Sequence, residues 1–192
     1  MSGSNKRVIS KIRWASLCDR PDCIPLARPK GAKAAGLRYE RLFAKQFPEA
    51  LHGQWFEYED ANGHGYCQPD VILSLLPRCL VVFESKYTLT AEAFAQLEGL
   101  YLPVVRAAFK APAVGVVVTR NLVPVGERVK GVWERIKGVG EGVSTLEEAI
   151  RQAQSGFGIP VLHWVGQNFR SNPLHNKPSL PFQIKYPTNL SA

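Results

Sequence analysis

Three side chains of complementary chemistry, Asp70, Glu84 and Lys86, fall within a short stretch of this chain. Carboxylates are hard oxygen ligands that suit Mg²⁺ or Mn²⁺. A divalent ion held between them would lower the pKa of a bound water and stabilise charge on a phosphodiester. An ammonium beside the pair would position that water or neutralise the pentacovalent charge. The setting is abrupt, because the apolar run Leu80-Val81-Val82-Phe83 gives way at once to Glu84-Ser85-Lys86. Strand period two puts Lys86 on the face of Glu84.

The elements that must position these groups are two buried strands, 71–76 and 79–87, joined near Pro77-Arg78. Pairing centred on Pro77 sets Asp70 opposite Glu84 on one face, with Cβ atoms about 5 Å apart. Carboxylates that close repel unless a cation joins them. Pairing centred between Pro77 and Arg78 sets Asp70 opposite Ser85 and sends Glu84 to the other face. The metal-site reading therefore requires an odd-length turn or a bulge.

Around this hairpin the pattern predicts a helix over 33–47, with Ala35, Tyr39, Leu42, Phe43 and Phe47 at helical spacing, Glu40 beside the stripe, and Pro48 as the stop. A weakly alternating strand follows over 54–59, and Asn62-Gly63 signals a turn. Thr90 is placed to cap a helix running to Phe109, which Pro103 is expected to kink. The Val-rich run 113–119 reads as a strand buried on both faces, followed by helices over 127–137 and 145–154 and a last strand over 159–165. The expected fold is α/β with a mixed α+β sheet. Residues 1–32 read as a basic, proline-containing arm, 33–169 as the domain, and the Pro-, Asn- and Ser-rich segment 170–192 as an extended tail.

The 192 residues carry 24 Lys and Arg against 16 Asp and Glu, a formal net charge of +8 that favours an anionic partner. No apolar run approaches the roughly 20 residues of a membrane-spanning helix, and no signal-peptide core follows Lys6 and Arg7. A cytoplasmic protein without a membrane partner is expected. Its basic residues are spread along the chain and are not gathered on one amphipathic helix. Lys30, Lys33, Arg38, Arg41 and Lys45, or Arg120, Arg128, Lys130, Arg135 and Lys137, would supply salt-sensitive phosphate contacts. Cys18 and Cys23, spaced C-x4-C, would make half of a zinc site completed by Cys67, His52 or His64. No second close pair follows, so reduced thiols are the expectation. Trp14, Trp55 and Trp164 do not align into a stacking platform, and His64 has no visible partner; neither set enters the catalytic group.

Over about 33–119 the chain resembles the PD-(D/E)XK nuclease superfamily: Pro69-Asp70 matches its PD element and Glu84-Ser85-Lys86 its E-x-K. The resemblance implies a restriction-endonuclease-like αβββαβ core with additional C-terminal helices. It further implies metal ligation by Asp70 and Glu84, catalytic assistance from Lys86, and a second ion held or oriented by Glu40. The Ser85 backbone carbonyl would be another ligand. Gln96 matches a polar residue frequent in the helix after the motif, although Tyr101 follows it at five residues where some recombination-type branches have four. The implied protein is a Mg²⁺-dependent (Mn²⁺-compatible) deoxyribonuclease, in keeping with a phage or mobile-element endonuclease acting on double-stranded, branched or broken DNA. A homodimer would suit cleavage of both strands. A restriction endonuclease is the second enzyme reading, and a nuclease-like fold that binds nucleic acid or protein without cutting is the reading from another class.

Overall fold

The computed structural model describes residues 9, 17–18, 20–25, 29–75, 79–122, 143–156 and 158–166, with 17–18 as backbone. In chain order the elements are β1 (Leu17–Cys18), α1 (Ala32–Ala44), β2 (Leu51–His52), β3 (Trp55–Asp60), β4 (Gly63–Cys67), β5 (Val71–Leu75) and β6 (Cys79–Thr88). Then come α2 (Ala91–Gln96), a π-helical turn (Leu97–Tyr101), α3 (Leu102–Phe109), β7 (Ala113–Asn121), α4 (Leu146–Gln154) and β8 (Val161–His163). Trp14, the helix expected over 127–137 and the tail from Arg170 lie outside the described residues.

A five-stranded sheet in the order β2-β5-β6-β7-β8 organises these elements, antiparallel from β2 to β6 and parallel from β6 to β8. The protein is thus mixed α/β, with β6 and β7 central. Their side chains explain the placement: Val81, Val82, Phe83, Val116, Val117 and Val118 are all fully buried, as β-branched and aromatic residues on a strand covered from both sides should be. Alternation divides them cleanly. Leu80, Val82 and Val117 pack under Phe94, Leu97, Val104 and Val105 of the α2–α3 helix. Val81, Phe83, Val116 and Val118 pack under Tyr39, Phe43 and Phe47 in and after α1 and Ala149 of α4.

The first expected strand does not join this sheet. β3 instead pairs with β4 and with β1, forming a separate three-stranded sheet, and the two-residue β2 takes the edge next to β5. β3 alternates strictly, with Phe56, Tyr58 and Asp60 buried. Phe56 and Tyr58 are satisfied by packing beside α2–α3, so the turn at Asn62-Gly63 closes a local hairpin. Within the segment read as an arm, Leu17 and Cys18 pair with Phe56 and Trp55.

One helix expectation also changes. Thr90 occupies the N-cap of α2 with extended backbone, yet its hydroxyl makes no capping bond and is buried without a partner. Ahead of Pro103 the helix carries the π-helical turn, whose closing bond runs from the Leu102 N–H to the Leu97 carbonyl. Proline has no N–H to donate four residues back, to Gly99, so the irregular turn lies where the helical ladder is already interrupted. By contrast Thr145 does cap α4, accepting from the Glu148 N–H at 3.3 Å. No helix among the described residues is long and apolar enough to cross a membrane.

Docking of α1 onto β6 rests on Phe43, whose ring meets those of Phe47, Phe83 and Trp164, each at a centroid distance of 5.3 Å. Phe43→Ala is expected to cost about 3–5 kcal/mol by urea unfolding. A cost under about 1 kcal/mol would show that α1 is held by other contacts.

Candidate active site

The hairpin register selects one of the two pairings open to the sequence. Val71 pairs with Phe83, Leu73 with Val81 and Leu75 with Cys79. This is the arrangement centred on Pro77, so one step beyond the ladder Asp70 stands opposite Glu84. Backbone directions add a detail. The Asp70 carbonyl faces β2, where it accepts from the Gly53 N–H at 2.9 Å. The Leu80 N–H faces β7 and donates to Pro112, so by period two the Glu84 backbone faces β7 as well. Asp70 and Glu84 therefore form a pair without mutual backbone bonds, the kind whose Cα atoms approach to about 4.5 Å.

Ser85 explains how Asp70 is held. Its N–H points toward β5, but that strand begins at Val71 and offers no carbonyl there. The Asp70 carboxylate takes the place of the missing strand residue, accepting the Ser85 N–H on Oδ2 at 2.6 Å. The Ser85 carbonyl points to the same open end of the ladder, on the side of the Asp70 carboxylate.

Glu84 has 1% of its side chain exposed, and its Oε1 accepts from the Lys86 ammonium at 2.5 Å. Its second oxygen, Oε2, is buried with no hydrogen-bond partner. A carboxylate oxygen in that state is costly unless something of positive charge meets it. Burial pushes the Glu84 carboxyl up, Lys86 pulls it down, and Glu40 and Glu92 push it up again. Asp70 is raised well above the usual carboxylate range by burial, then by Glu84 and Glu40, against the Ser85 N–H and Lys86. Glu40 is raised by burial, with Lys86 and Arg41 opposing. Lys86 is itself pressed down by burial, but Glu84, Asp70 and Glu92 outweigh this and hold it protonated.

The structure therefore brings Asp70, Glu84, Lys86 and Glu40 into one electrostatic cluster, with Glu40 entering from α1. Gln96 ends α2, over the sheet face carrying Glu84 and Lys86, and its Oε1 is buried without a partner. Sequence reasoning missed Glu92 and named Tyr101 only for its spacing from Gln96. Glu92 lies one helical turn before Gln96 and acts on both Glu84 and Lys86; its spacing of four from Gln96 was the available signal. Tyr101 is raised by burial and by the charges of Glu84, Asp70, Cys67 and Glu40, which puts its phenol beside the cluster. Its five-residue spacing from Gln96 is accommodated by the π-helical turn: with an extra residue in that turn, Gln96 and Tyr101 are one turn apart on the same side.

Other candidates lie elsewhere. His64 pairs with Glu57 on the outer face of the β3–β4 hairpin. Trp164 is a core residue, 4% exposed. Cys23, Cys67 and Cys79 form no disulfide, and among the described residues no group of three or more His, Cys, Asp or Glu side chains is gathered to hold a metal ion. The Cys18 side chain, on which the zinc expectation depends, lies outside the described residues. No family model, no curated protein and no solved structure matches the chain.

Two measurements test this arrangement. Because the folded carboxyls are raised above their unfolded values, their stabilising contribution is present below about pH 4 and is lost as pH rises through the raised values. The metal-free protein should lose stability from about pH 4.5 toward neutrality, while the Lys86 contribution persists there, below its own ordinary pKa. Asp70→Asn should remove part of that slope and raise the melting temperature at pH 7, a gain of about 1 kcal/mol; an unchanged pH profile would contradict the buried cluster. Separately, the added Cβ at Gly99 would meet nothing within 4 Å. Deleting Gly99 should close the π-helical turn to an α-helical one, with flanking faces kept in phase and stability within about 1 kcal/mol. A loss of several kcal/mol would show that the extra residue is integral to packing.

Proposed function

We propose that this protein is a divalent-metal-dependent nuclease of the PD-(D/E)XK type that hydrolyses DNA phosphodiester bonds. The single observation carrying the proposal is the Pro77-centred register, which opposes Asp70 to Glu84 at the end of a buried ladder and leaves Glu84 Oε2 without a partner. The donor set fits a hard cation: two carboxylates, a strand-end carbonyl and no sulfur or imidazole. Mg²⁺ tolerates so sparse a protein set because it keeps several waters and takes one or two carboxylates plus substrate phosphate. Asp70, Glu84 and the Ser85 carbonyl would hold it, with Glu40 orienting a second ion. When bound, Mg²⁺ acidifies water and polarises the phosphodiester.

The chain's own residues do the rest. The Ser85 N–H fixes the Asp70 carboxylate in one rotamer, so ligation needs little reorganisation. Lys86, kept charged by Glu84, stands where it can neutralise charge developing on the phosphoryl oxygens. Gln96 and Tyr101 present an amide and a phenol from the covering helix, suited to orient the attacking water or a substrate oxygen. The net charge of +8 supplies affinity for the polyanion. On this reading the order α1, β2, β5, β6, α2–α3, β7 would correspond to an αβββαβ plan, with the two-residue β2 taken as the first strand and the β3–β4 hairpin as an insertion after it. Branched or broken DNA and a homodimer remain part of the proposal.

Incubation of linear, supercoiled and branched DNA with Mg²⁺ or Mn²⁺ tests this reading. Cleavage is expected, absent in EDTA and reduced at least about 10²-fold in folded Asp70→Ala, Glu84→Ala and Lys86→Ala. Salt-sensitive DNA binding without cleavage, unchanged in these variants, would leave a binding module instead.

A further inference from the structure

On the α1 side of the same strand ends lies a cation that the catalytic cluster does not use. The parallel register pairs Lys86 with Thr119 and Thr88 with Asn121, which sets Arg120 beside Tyr87 at the carboxyl ends of β6 and β7. The Arg120 guanidinium carbon lies 5.5 Å from the Tyr87 ring centroid. That ring is braced from below: Tyr39 meets it edge-on at 6.0 Å, packs on Trp164 at 5.3 Å, and donates its hydroxyl to the Trp164 carbonyl at 2.9 Å. The Arg120 backbone is pinned as well, its carbonyl lying 2.8 Å from His163 Nε2. Arg120 is exposed, and it has no carboxylate partner among the described residues, whereas Lys86 is taken by Glu84.

A guanidinium laid on an aromatic face keeps its edge donors free and loses little rotamer freedom on meeting a planar anion. Three observations coincide at one residue, namely exposure, an aromatic brace and a fixed backbone, and among the described residues no carboxylate pairs with it. Across a strand spacing of about 4.8 Å and one residue along β7, its backbone is within about 6 Å of that of Lys86. We propose that Arg120 contacts a phosphodiester of the bound strand adjoining the one at Asp70, Glu84 and Lys86, on the α1 side. The inference rests on the nuclease reading and adds to it the direction in which the strand leaves the site.

The test is equilibrium binding of a fluorescein-labelled DNA duplex to the full chain in EDTA, titrated over NaCl. Arg120→Gln should weaken binding about tenfold and lower the slope of log K against log salt by about 0.9, the share of one phosphate contact. Arg120→Lys should keep the slope with part of the affinity lost, because the charge remains while the planar fork is gone. Lys110→Asn, which removes a charge from the turn before β7 at the opposite end of the strand, should leave the slope unchanged. Unchanged melting temperatures accompany these results. Wild-type slope in Arg120→Gln, with the wild-type protein binding, overturns the Arg120 contact alone. If the wild-type protein binds the duplex neither in EDTA nor with Ca²⁺ neutralising the carboxylates, and does not cleave it with Mg²⁺, the nuclease reading falls and the contact with it.

Discussion

Two carboxylates face each other at the end of a buried antiparallel ladder, and the geometry of the candidate site follows from the cost of keeping them there. Asp70 and Glu84 form a pair whose backbones turn away from each other, so their side chains are driven together. One lysine and one strand N–H offset part of the repulsion. Lys86 occupies one oxygen of Glu84 and Ser85 one oxygen of Asp70, while Glu84 Oε2 is left with nothing. A folded chain carries such a conflict at the expense of stability, which is the usual signature of a site shaped for something that arrives later.

The scaffold that bears this cost is the pair β6 and β7, buried on both faces. Phe43, Phe47 and Phe83 fasten α1 to one face, while Phe94, Leu97 and Val105 fasten α2–α3 to the other. Rigidity at β6 matters because Glu84 and Lys86 extend directly from its apolar run, without an intervening loop. Sites built on strand ends inherit the precision of the ladder beneath them. The helices then deliver groups from both sides, Glu40 from α1 and Glu92, Gln96 and Tyr101 from the helix across the sheet. The π-helical turn reconciles a five-residue spacing with a single helix face.

Charge is arranged in layers about that centre. Glu84 is buried and Asp70 and Glu40 are half-buried, with Lys86 among them. Arg120, braced on Tyr87, stands at the margin on the α1 side. On the nuclease reading proposed above, such a plan would suit a polyanion bridged to carboxylates by a cation.

Much of this was legible in the residues alone. The apolar run of β6 ending in Glu84-Ser85-Lys86, the helical stripe of Tyr39 and Phe43 and the valines of β7 follow from period and hydrophobicity, which are local. Asp70, Glu84 and Lys86 could be named because their types and their places at strand ends are also local properties. Other features depend on which surface meets which. Sequence left two hairpin registers open, differing by one residue, and only the packing of Val71 and Leu73 on one face with Ile72 on the other selects between them. The placing of β3 with β4 and β1, away from the main sheet, likewise follows from where Phe56 and Tyr58 find cover. Glu92 and Tyr101 became visible as neighbours of the site only once the helix lay across the sheet, and Arg120 only once parallel pairing set it beside Tyr87. Local pattern determined the elements and the chemistry available to this chain; long-range burial decided which of those groups face one another, because side-chain direction is set by register and registers are set by packing.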